Sequence, residues 1–487
     1  MDMLEFVVPA LNIKVLAPSI IIIVTALTVL LTGVFSSAEK KSSLGYLSLF
    51  GVGLARLCIF KYSDRNISAY NGMFISDGFS LFISAIVCIV TFLTILISMN
   101  YQKIFKVINC GEYYCLLLFA ALGMILMGSS GNLIMVFLAL ETMSISIYAL
   151  AGFRKDRESS IESAMKYFLL GAFASGFLLY GFALIYGATG TMDIIKIGEF
   201  FKTNPGALHT PLTMCALAMI TVGFGFKIAM VPFHMWTPDV YEGAPSPVTG
   251  FMATGVKAAA FAALLRVFFT ALSPLQPDWT TIMWIMAVLT MTLGNVLALA
   301  QNDIKRMLAY SSIAHAGYLL VGFVAGDRIA FAGMLFYLLG YAFMNLGAFG
   351  VLSLLGKKGE ECTSLSDYAG MGFKYPLIGL VMAIFMFSMA GIPPTVGFMG
   401  KFYIFTAAIK SGFIWLAVIG VINSVISLYF YLRVIVYMYF KESDEAVPFS
   451  SPSPAIITAI FLAAAGVMVM GMFPSGFWDM AVSAGFM

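Results

Sequence analysis

Charge is what this sequence has least of. Of its 487 residues, 10% are Asp, Glu, Lys or Arg, and 61% are hydrophobic. A soluble globular domain carries about 25% charged residues. With a mean hydropathy of +0.96, the chain has too little polar surface for a water-soluble fold of its size. Its solvent must be mostly lipid. Histidine is nearly absent, with three in all; two axial ligands per haem would almost exhaust them, which argues against a haem protein. The six cysteines (Cys58, Cys88, Cys110, Cys115, Cys215, Cys362) form no CxxC and no Cys/His cluster, so no metal site is expected and they read as small packing residues. The net charge of +3 forms no basic stripe, which excludes a nucleic-acid partner. No basic n-region precedes the first hydrophobic run near Leu11 and no Arg/Ser-rich leader comes before it. That run therefore reads as a spanning helix rather than a cleaved signal.

What is present is a series of apolar runs, each near the ~20 residues a crossing needs. They fall near 11–35, 44–60, 74–98, 113–128, 132–152, 161–186, 211–236, 245–271, 279–300, 304–325, 330–355, 376–409, 412–440 and 454–473. Barrel-type alternation is missing. The expected fold is an all-α polytopic membrane protein with about fourteen transmembrane helices. Placing the N-terminus outside gathers Lys40, Lys41, Lys103, Lys106, Arg154, Lys155, Arg157, Lys305, Arg306, Lys357, Lys358, Lys374 and Lys441 in the inside loops. The positive-inside rule then expects both termini outside, on the periplasmic side of a bacterial inner membrane.

Two features suggest internal duplication. Tyr167-Phe-Leu-Leu-Gly171 returns as Phe336-Tyr-Leu-Leu-Gly340, and Ser144-Ile145 with Gly152-Phe153 returns as Ser312-Ile313 with Gly322-Phe323. The offset is five helices, an odd number, so equivalent helices run in opposite directions, as in an inverted-topology repeat. The reading divides the chain into a three-helix segment (1–112), two five-helix repeats (113–271 and 272–440) and a C-terminal helix (441–487). Helix 7 meets Pro232 soon after Lys227, and helix 12 contains Gly391-Ile-Pro393-Pro394-Thr-Val-Gly397 with Lys401 beyond. Proline removes a backbone bond and clashes with the preceding turn; in lipid the freed carbonyls need a partner or water. Both helices are expected to be broken.

Ionisable groups inside the runs are few because each costs roughly 2.5–3.5 kcal/mol at a helix centre. They are Glu141, Lys227, Lys257 and Lys401, with His315 in the tenth run and Glu162 and Lys166 one turn apart in the sixth. Singly, each has a structural explanation. Lys227 or Lys401 could snorkel to an interface, Glu162–Lys166 could be a surface pair, and His315 could be a packing residue. Jointly, with two lysines beside breaks at repeat spacing, they point to a proton relay. Burial lowers a lysine's hold on its proton and a nearby carboxylate restores it, so Lys227 with Glu141 at hand could load and release protons.

The stretches 226–249 (FKIAMVPFHMWTPDVYEGAPSPVT), 138–156 (LALETMSISIYALAGFRKD), 163–181 (SAMKYFLLGAFASGFLLYG) and 301–318 (QNDIKRMLAYSSIAHAGY) resemble subunit N of proton-pumping NADH-quinone oxidoreductase, respiratory complex I. The resemblance runs over roughly 110–440. It implies that Glu141 and Lys227 form a charged pair, that Lys257 connects the two halves, that His315 lies on a polar axis and that Lys401 is the terminal group. Glu162 and Lys166 would stand at the cytoplasmic intake. It also implies that this chain holds no cofactor: NADH, flavin, iron–sulfur clusters and quinone belong to partner subunits of the membrane and peripheral arms. Two other readings stay open on the residues alone: a subunit of a cation/proton antiporter or membrane-bound hydrogenase, and a non-conducting spacer.

Overall fold

The computed structural model describes residues 12–36, 43–61, 66–105, 110–357, 360–442 and 452–485. In chain order its helices are α1 (Ile13–Phe35), α2 (Ser43–Lys61), α3 (Gly78–Ile104), α4 (Cys110–Ser129), α5 (Leu133–Ala151), α6 (Glu158–Thr189), α7 (Ile194–Thr203), α8 (Pro211–Ile228), α9 (Trp236–Gly243), α10 (Ser246–Phe251) and α11 (Lys257–Arg266). There follow α12 (Gln276–Leu299), α13 (Ile304–Ala325), α14 (Arg328–Leu352), α15 (Met371–Lys374), α16 (Pro376–Ala390), α17 (Val396–Lys410), α18 (Ile414–Phe440), α19 (Pro454–Met472) and α20 (Ser475–Ser483). Two small antiparallel hairpins complete it, β1 (Ile67–Ala69) with β2 (Phe74–Ser76) and β3 (Gly356–Lys357) with β4 (Glu360–Glu361).

Thirteen helices among the described residues are long and apolar enough to cross a membrane; one of them, Ser246–Ala271, joins α10 and α11 through a π-helical turn at Met252–Val256. The fourteenth crossing is shared by α16 and α17, which are 15 residues each. The seventh run, read as 211–236, is shorter as a helix: α8 stops at Ile228, Ala229 turns left-handed at φ 60°, and Pro232 prevents the chain from resuming before Trp236. Of the lysines assigned to inside loops, Lys40, Lys41, Lys106 and Lys358 lie outside the described residues.

Local chemistry marks the crossing ends. Asp77, Asn132, Asp303 and Asp327 accept backbone N–H groups at the starts of α3, α5, α13 and α14. Within the crossings, hydroxyls bond back to their own helix, as Thr91, Thr94 and Ser98 do to Val87, Val90 and Thr94, so they need no water. The crossing Ser246–Ala271, α13 and α14 form the buried centre. Phe168, Phe173 and Tyr180 of α6 and Trp415, Val425 and Tyr429 of α18 face outward.

The faint sequence repeat is explicit in the backbone. Leu133 N–H donates to Met192 (2.9 Å) and Ile194 N–H to Gly131 (3.1 Å), while Ile304 N–H donates to Thr363 (2.7 Å) and Leu365 N–H to Asn302 (2.9 Å). Each residue of the second set lies 171 positions after its counterpart (133 to 304, 192 to 363, 194 to 365, 131 to 302). The step covers five crossings, so the two identical clasps lie at opposite membrane faces, the mark of inverted topology.

One buried node holds the centre to the loop before α16. Lys305 and Glu361 pair at 2.8 Å, both side chains 2% exposed. The carboxylate also accepts from the Tyr101 hydroxyl (2.6 Å), the Ser246 N–H (3.1 Å) and the Ser246 hydroxyl (2.7 Å), and Lys305 donates to the Ala244 carbonyl (2.5 Å). Burial by itself would raise the Glu361 carboxyl; the Lys305 charge and the donated hydrogen bonds outweigh it and hold the group down at about 2. Glu361→Gln strips a buried ammonium of its counter-charge and should destabilise the protein by about 3–5 kcal/mol, read as a lower melting temperature in detergent. Because the folded carboxyl titrates below its unfolded value, its contribution is complete above the ordinary glutamate range and is lost as pH falls towards about 2. The gap between wild type and variant should therefore hold from about pH 8 to about pH 5 and narrow only below that.

Candidate functional site

At the first break, the loose backbone of helix 7 is taken up by neighbours. The Phe226 carbonyl accepts the Trp236 indole N–H (3.0 Å), and the Val231 N–H donates to the Thr290 hydroxyl on α12 (3.0 Å). Lys227, one residue from the end of α8, is buried. Its ammonium donates to the Ser144 hydroxyl (2.7 Å) and, more weakly, lies 3.4 Å from the Tyr148 hydroxyl. The Tyr148 and Tyr167 rings stand 5.3 and 5.5 Å from it, within cation–π range.

Glu141 is not Lys227's direct partner. The carboxylate, half-buried on α5, accepts from the Ser175 hydroxyl of α6 at 2.5 Å, and the two residues form no ion pair within 4 Å. Ser144, one turn further along the same face of α5, meets the lysine instead, and the Glu141 carboxylate is taken up by Ser175. The expected direct charged pair is not formed.

At the second break, α16 ends at Gly391, whose φ is 89°. The Met389 and Ala390 carbonyls are left without helical donors. Lys401 reaches back from α17 and donates to both, at 3.0 and 3.1 Å, and to the Ser424 hydroxyl at 2.9 Å. A cation at the carbonyl end of a half-helix also meets the negative end of its dipole. The two lysines are therefore differently placed: Lys227 sits on the half-helix before its break, Lys401 on the half-helix after.

Between them lies a buried polar axis. Lys257 opens α11 directly after the π-helical turn and donates to both the carbonyl and the hydroxyl of Ser312, the latter at 2.6 Å. It lies 5.6 Å from the Tyr341 ring, which is 4.9 Å from the His315 ring. His315 contacts the Tyr337 hydroxyl through Nδ1 (2.5 Å) and the Tyr431 hydroxyl through Nε2 (2.9 Å). Its ring stands 5.7 Å from Tyr318, whose face carries the Lys401 ammonium at 4.8 Å. The members of the series Lys257–Tyr341–His315–Tyr318–Lys401 meet through ring contacts and are buried throughout. The Tyr341 hydroxyl and both polar atoms of Asn345, one turn along α14, have no protein partner; buried groups of this kind are usually met by internal water.

Glu162 and Lys166 do form a pair (2.6 Å), within a larger network. Lys166 also meets Asp239 (2.6 Å), and Arg306 joins Asp239 (2.8 Å) to Glu242 (2.7 Å). The network is part-exposed and ties α6, α9 and α13 together. His234 sits inside the first break with Nδ1 unpartnered. Sequence reasoning overlooked Asp239, Glu242, Arg306, Glu361 and the hydroxyls around the cations. One signal was available: Ser311, Ser312, His315 and Tyr318 recur at helical spacing on one face of α13.

The profile of the family described as NADH:quinone oxidoreductase/Mrp antiporter, TM, matches residues 130–427. NADH-quinone oxidoreductase subunit N of Trichlorobacter lovleyi is 50% identical over 465 residues, covering 96% of this chain and 95% of the relative. F(420)H(2) dehydrogenase subunit N of Methanosarcina mazei is 40% identical over 491 residues, 97% of this chain and 98% of the relative. Among solved structures, a chain of respiratory complex I from Thermus thermophilus superposes with a TM-score of 0.80 at 34% identity, over 96% of this chain and all (100%) of that one. A chain of the Mrp complex from Dietzia sp. shares the fold, with a TM-score of 0.81 at 20% identity over 97% of each chain. With most of its length matched at these identities, this multi-pass membrane chain belongs to the NADH:quinone oxidoreductase/Mrp antiporter membrane-subunit family and, within it, to the subunit N group.

Proposed function

We propose that this chain is the antiporter-like, proton-translocating subunit N of a membrane-embedded NADH-quinone oxidoreductase. In this reading it moves protons while electrons pass from NADH to quinone in partner subunits. The observation that carries the proposal is the buried series from Lys257 through His315 to Lys401. A spacer has no use for the two buried lysines of that series and a third, Lys227, at the first break, each of which costs free energy in lipid. The relatives named subunit N serve complexes named for two different donors, NADH and F420H2. Donor chemistry, flavin, iron–sulfur clusters and quinone are accordingly assigned to the partners and no cofactor to this chain.

The residues divide the work by what each can do with a proton. A lysine holds one as a cation and can release it when its surroundings change. Hydroxyls and imidazole both donate and accept, so they pass protons on. Glu162, Lys166, Asp239 and Arg306 form the intake on the cytoplasmic side. Lys227, held by a hydroxyl and two aromatic faces, takes up the proton without being locked in an ion pair. Glu141 tunes it across Ser144. Lys257 and His315 connect the repeats 113–271 and 272–440, flanked by 1–112 and 441–487, and Lys401 discharges outward. The breaks at Pro232, Pro393 and Pro394 provide irregular backbone that water can reach. Lysine and arginine bias supports termini on the periplasmic side of a bacterial inner membrane. Neighbouring membrane-arm subunits are the partners.

Two experiments on the assembled complex test this. Lys227→Ala should lower proton pumping and quinone reduction together by at least about tenfold while the complex still assembles; undiminished pumping would make the chain a spacer. Lys401→Arg keeps donors for the Met389 and Ala390 carbonyls but cannot deprotonate. It should assemble and melt like wild type yet fail to pump, whereas Lys401→Met should also lose about 1–3 kcal/mol of stability from unpaired carbonyls. Pumping by the arginine variant at the wild-type rate would reduce Lys401 to a structural cap.

A further inference from the structure

Two apolar grooves flank α19, and each has one cation that is unpaired among the described residues. The larger, about 750 Å³, is walled by α2, α3, α14, α19 and α20, with Phe50, Phe92, Gly466 and Phe477 among its lining and Arg56 as its charged residue. The smaller, about 590 Å³, lies between α16 and the start of α19, with Lys374 at its rim. Among the described residues neither Arg56 nor the Lys374 ammonium makes a hydrogen bond or an ion pair. Arg56 stands five residues before the end of α2, about 7.5 Å inside the helix. Lys374 stands two residues before α16. By the count of crossings, the second crossing ends and the twelfth begins at opposite membrane faces. Each groove therefore lies toward one membrane face, with its cation near the end of a crossing.

Lining and charge decide what fits. The larger groove follows α19 from Leu462 to Met470, about 12 Å of helix. Its lining is apolar apart from Arg56, so it suits hydrocarbon chains that end in one anionic group. An arginine without a protein counter-charge calls for an anion, and its planar fork suits phosphate. We propose that the Arg56 groove is a binding site for an anionic glycerophospholipid, its acyl chains along α19 and its phosphate on Arg56, and that the Lys374 groove holds a second such lipid in the other leaflet.

The test uses the intact complex, stripped of loosely held lipid, incubated with phosphatidylglycerol or phosphatidylcholine, and read by native mass spectrometry. Wild type should retain phosphatidylglycerol in preference to phosphatidylcholine. Arg56→Ala should weaken phosphatidylglycerol retention at its groove by about tenfold, the worth of one charge-assisted contact, leaving the preference to the Lys374 groove alone, and the Arg56→Ala/Lys374→Ala double variant should abolish it. A Cβ at Gly53 meets no atom within 4 Å, so Gly53→Leu fills the groove without a clash and should displace either lipid from an assembled complex. Equal retention in wild type and every variant would overturn the proposal. So would disulfide capture of a neighbouring subunit by Gly53→Cys, which would show that a protein covers the groove.

Discussion

The structure depends on one constraint: in hydrocarbon, every backbone and side-chain polar group must be satisfied from within. An unbroken helix meets it automatically. This chain gives up that solution at two places and replaces it with specific contacts. Trp236 and Thr290 serve the first break. At the second, Lys401 supplies the hydrogen bonds that the proline pair removed. The buried lysine proposed for the relay is thus also the group that makes the break tolerable. Its position is fixed by the carbonyls it caps, and the carbonyls are exposed by the prolines.

The two repeats share a scaffold but not a chemistry. Their backbone clasps correspond bond for bond at a step of 171 residues. This step, and not the 168-residue one of the Ser-Ile match, carries Glu141 onto Ser312 and Ser144 onto His315. Where the first repeat has a carboxylate and a hydroxyl beside its lysine, the second has a hydroxyl that receives Lys257 and a histidine held between Tyr337 and Tyr431. The proposed function rests on this difference: a carboxylate near the lysine in the first half, and groups that both donate and accept protons in the second.

Charge outside the axis has a different task. The Lys305–Glu361 pair is wholly buried and fully hydrogen-bonded, which makes it a rigid tie between α3, α10, α13 and the β3–β4 hairpin. The Glu162–Lys166–Asp239–Arg306–Glu242 network is part-exposed, where pairs are individually weak and readily exchanged. One holds this end of the bundle still, while the other can rearrange there.

The sequence alone determined the membrane setting, the fourteen crossings, both helix breaks and the identity of Lys227, Lys257, His315 and Lys401. These are legible because lipid makes them conspicuous: apolar runs have a required length, and a charge or proline inside one is too costly to be incidental. Only the tertiary structure decided who meets whom. Glu141 and Lys227 form no direct pair because the carboxylate is taken by Ser175 of α6 and the lysine by Ser144, one turn further along α5. Glu361, in a short loop after α14, gives no local sign that it pairs with Lys305. Serines and tyrosines line the axis without standing out, since hydroxyls are common in apolar helices and usually bond back to their own backbone. Periodicity and hydropathy are properties of one helix; a counter-charge or a relay is a property of the space between several.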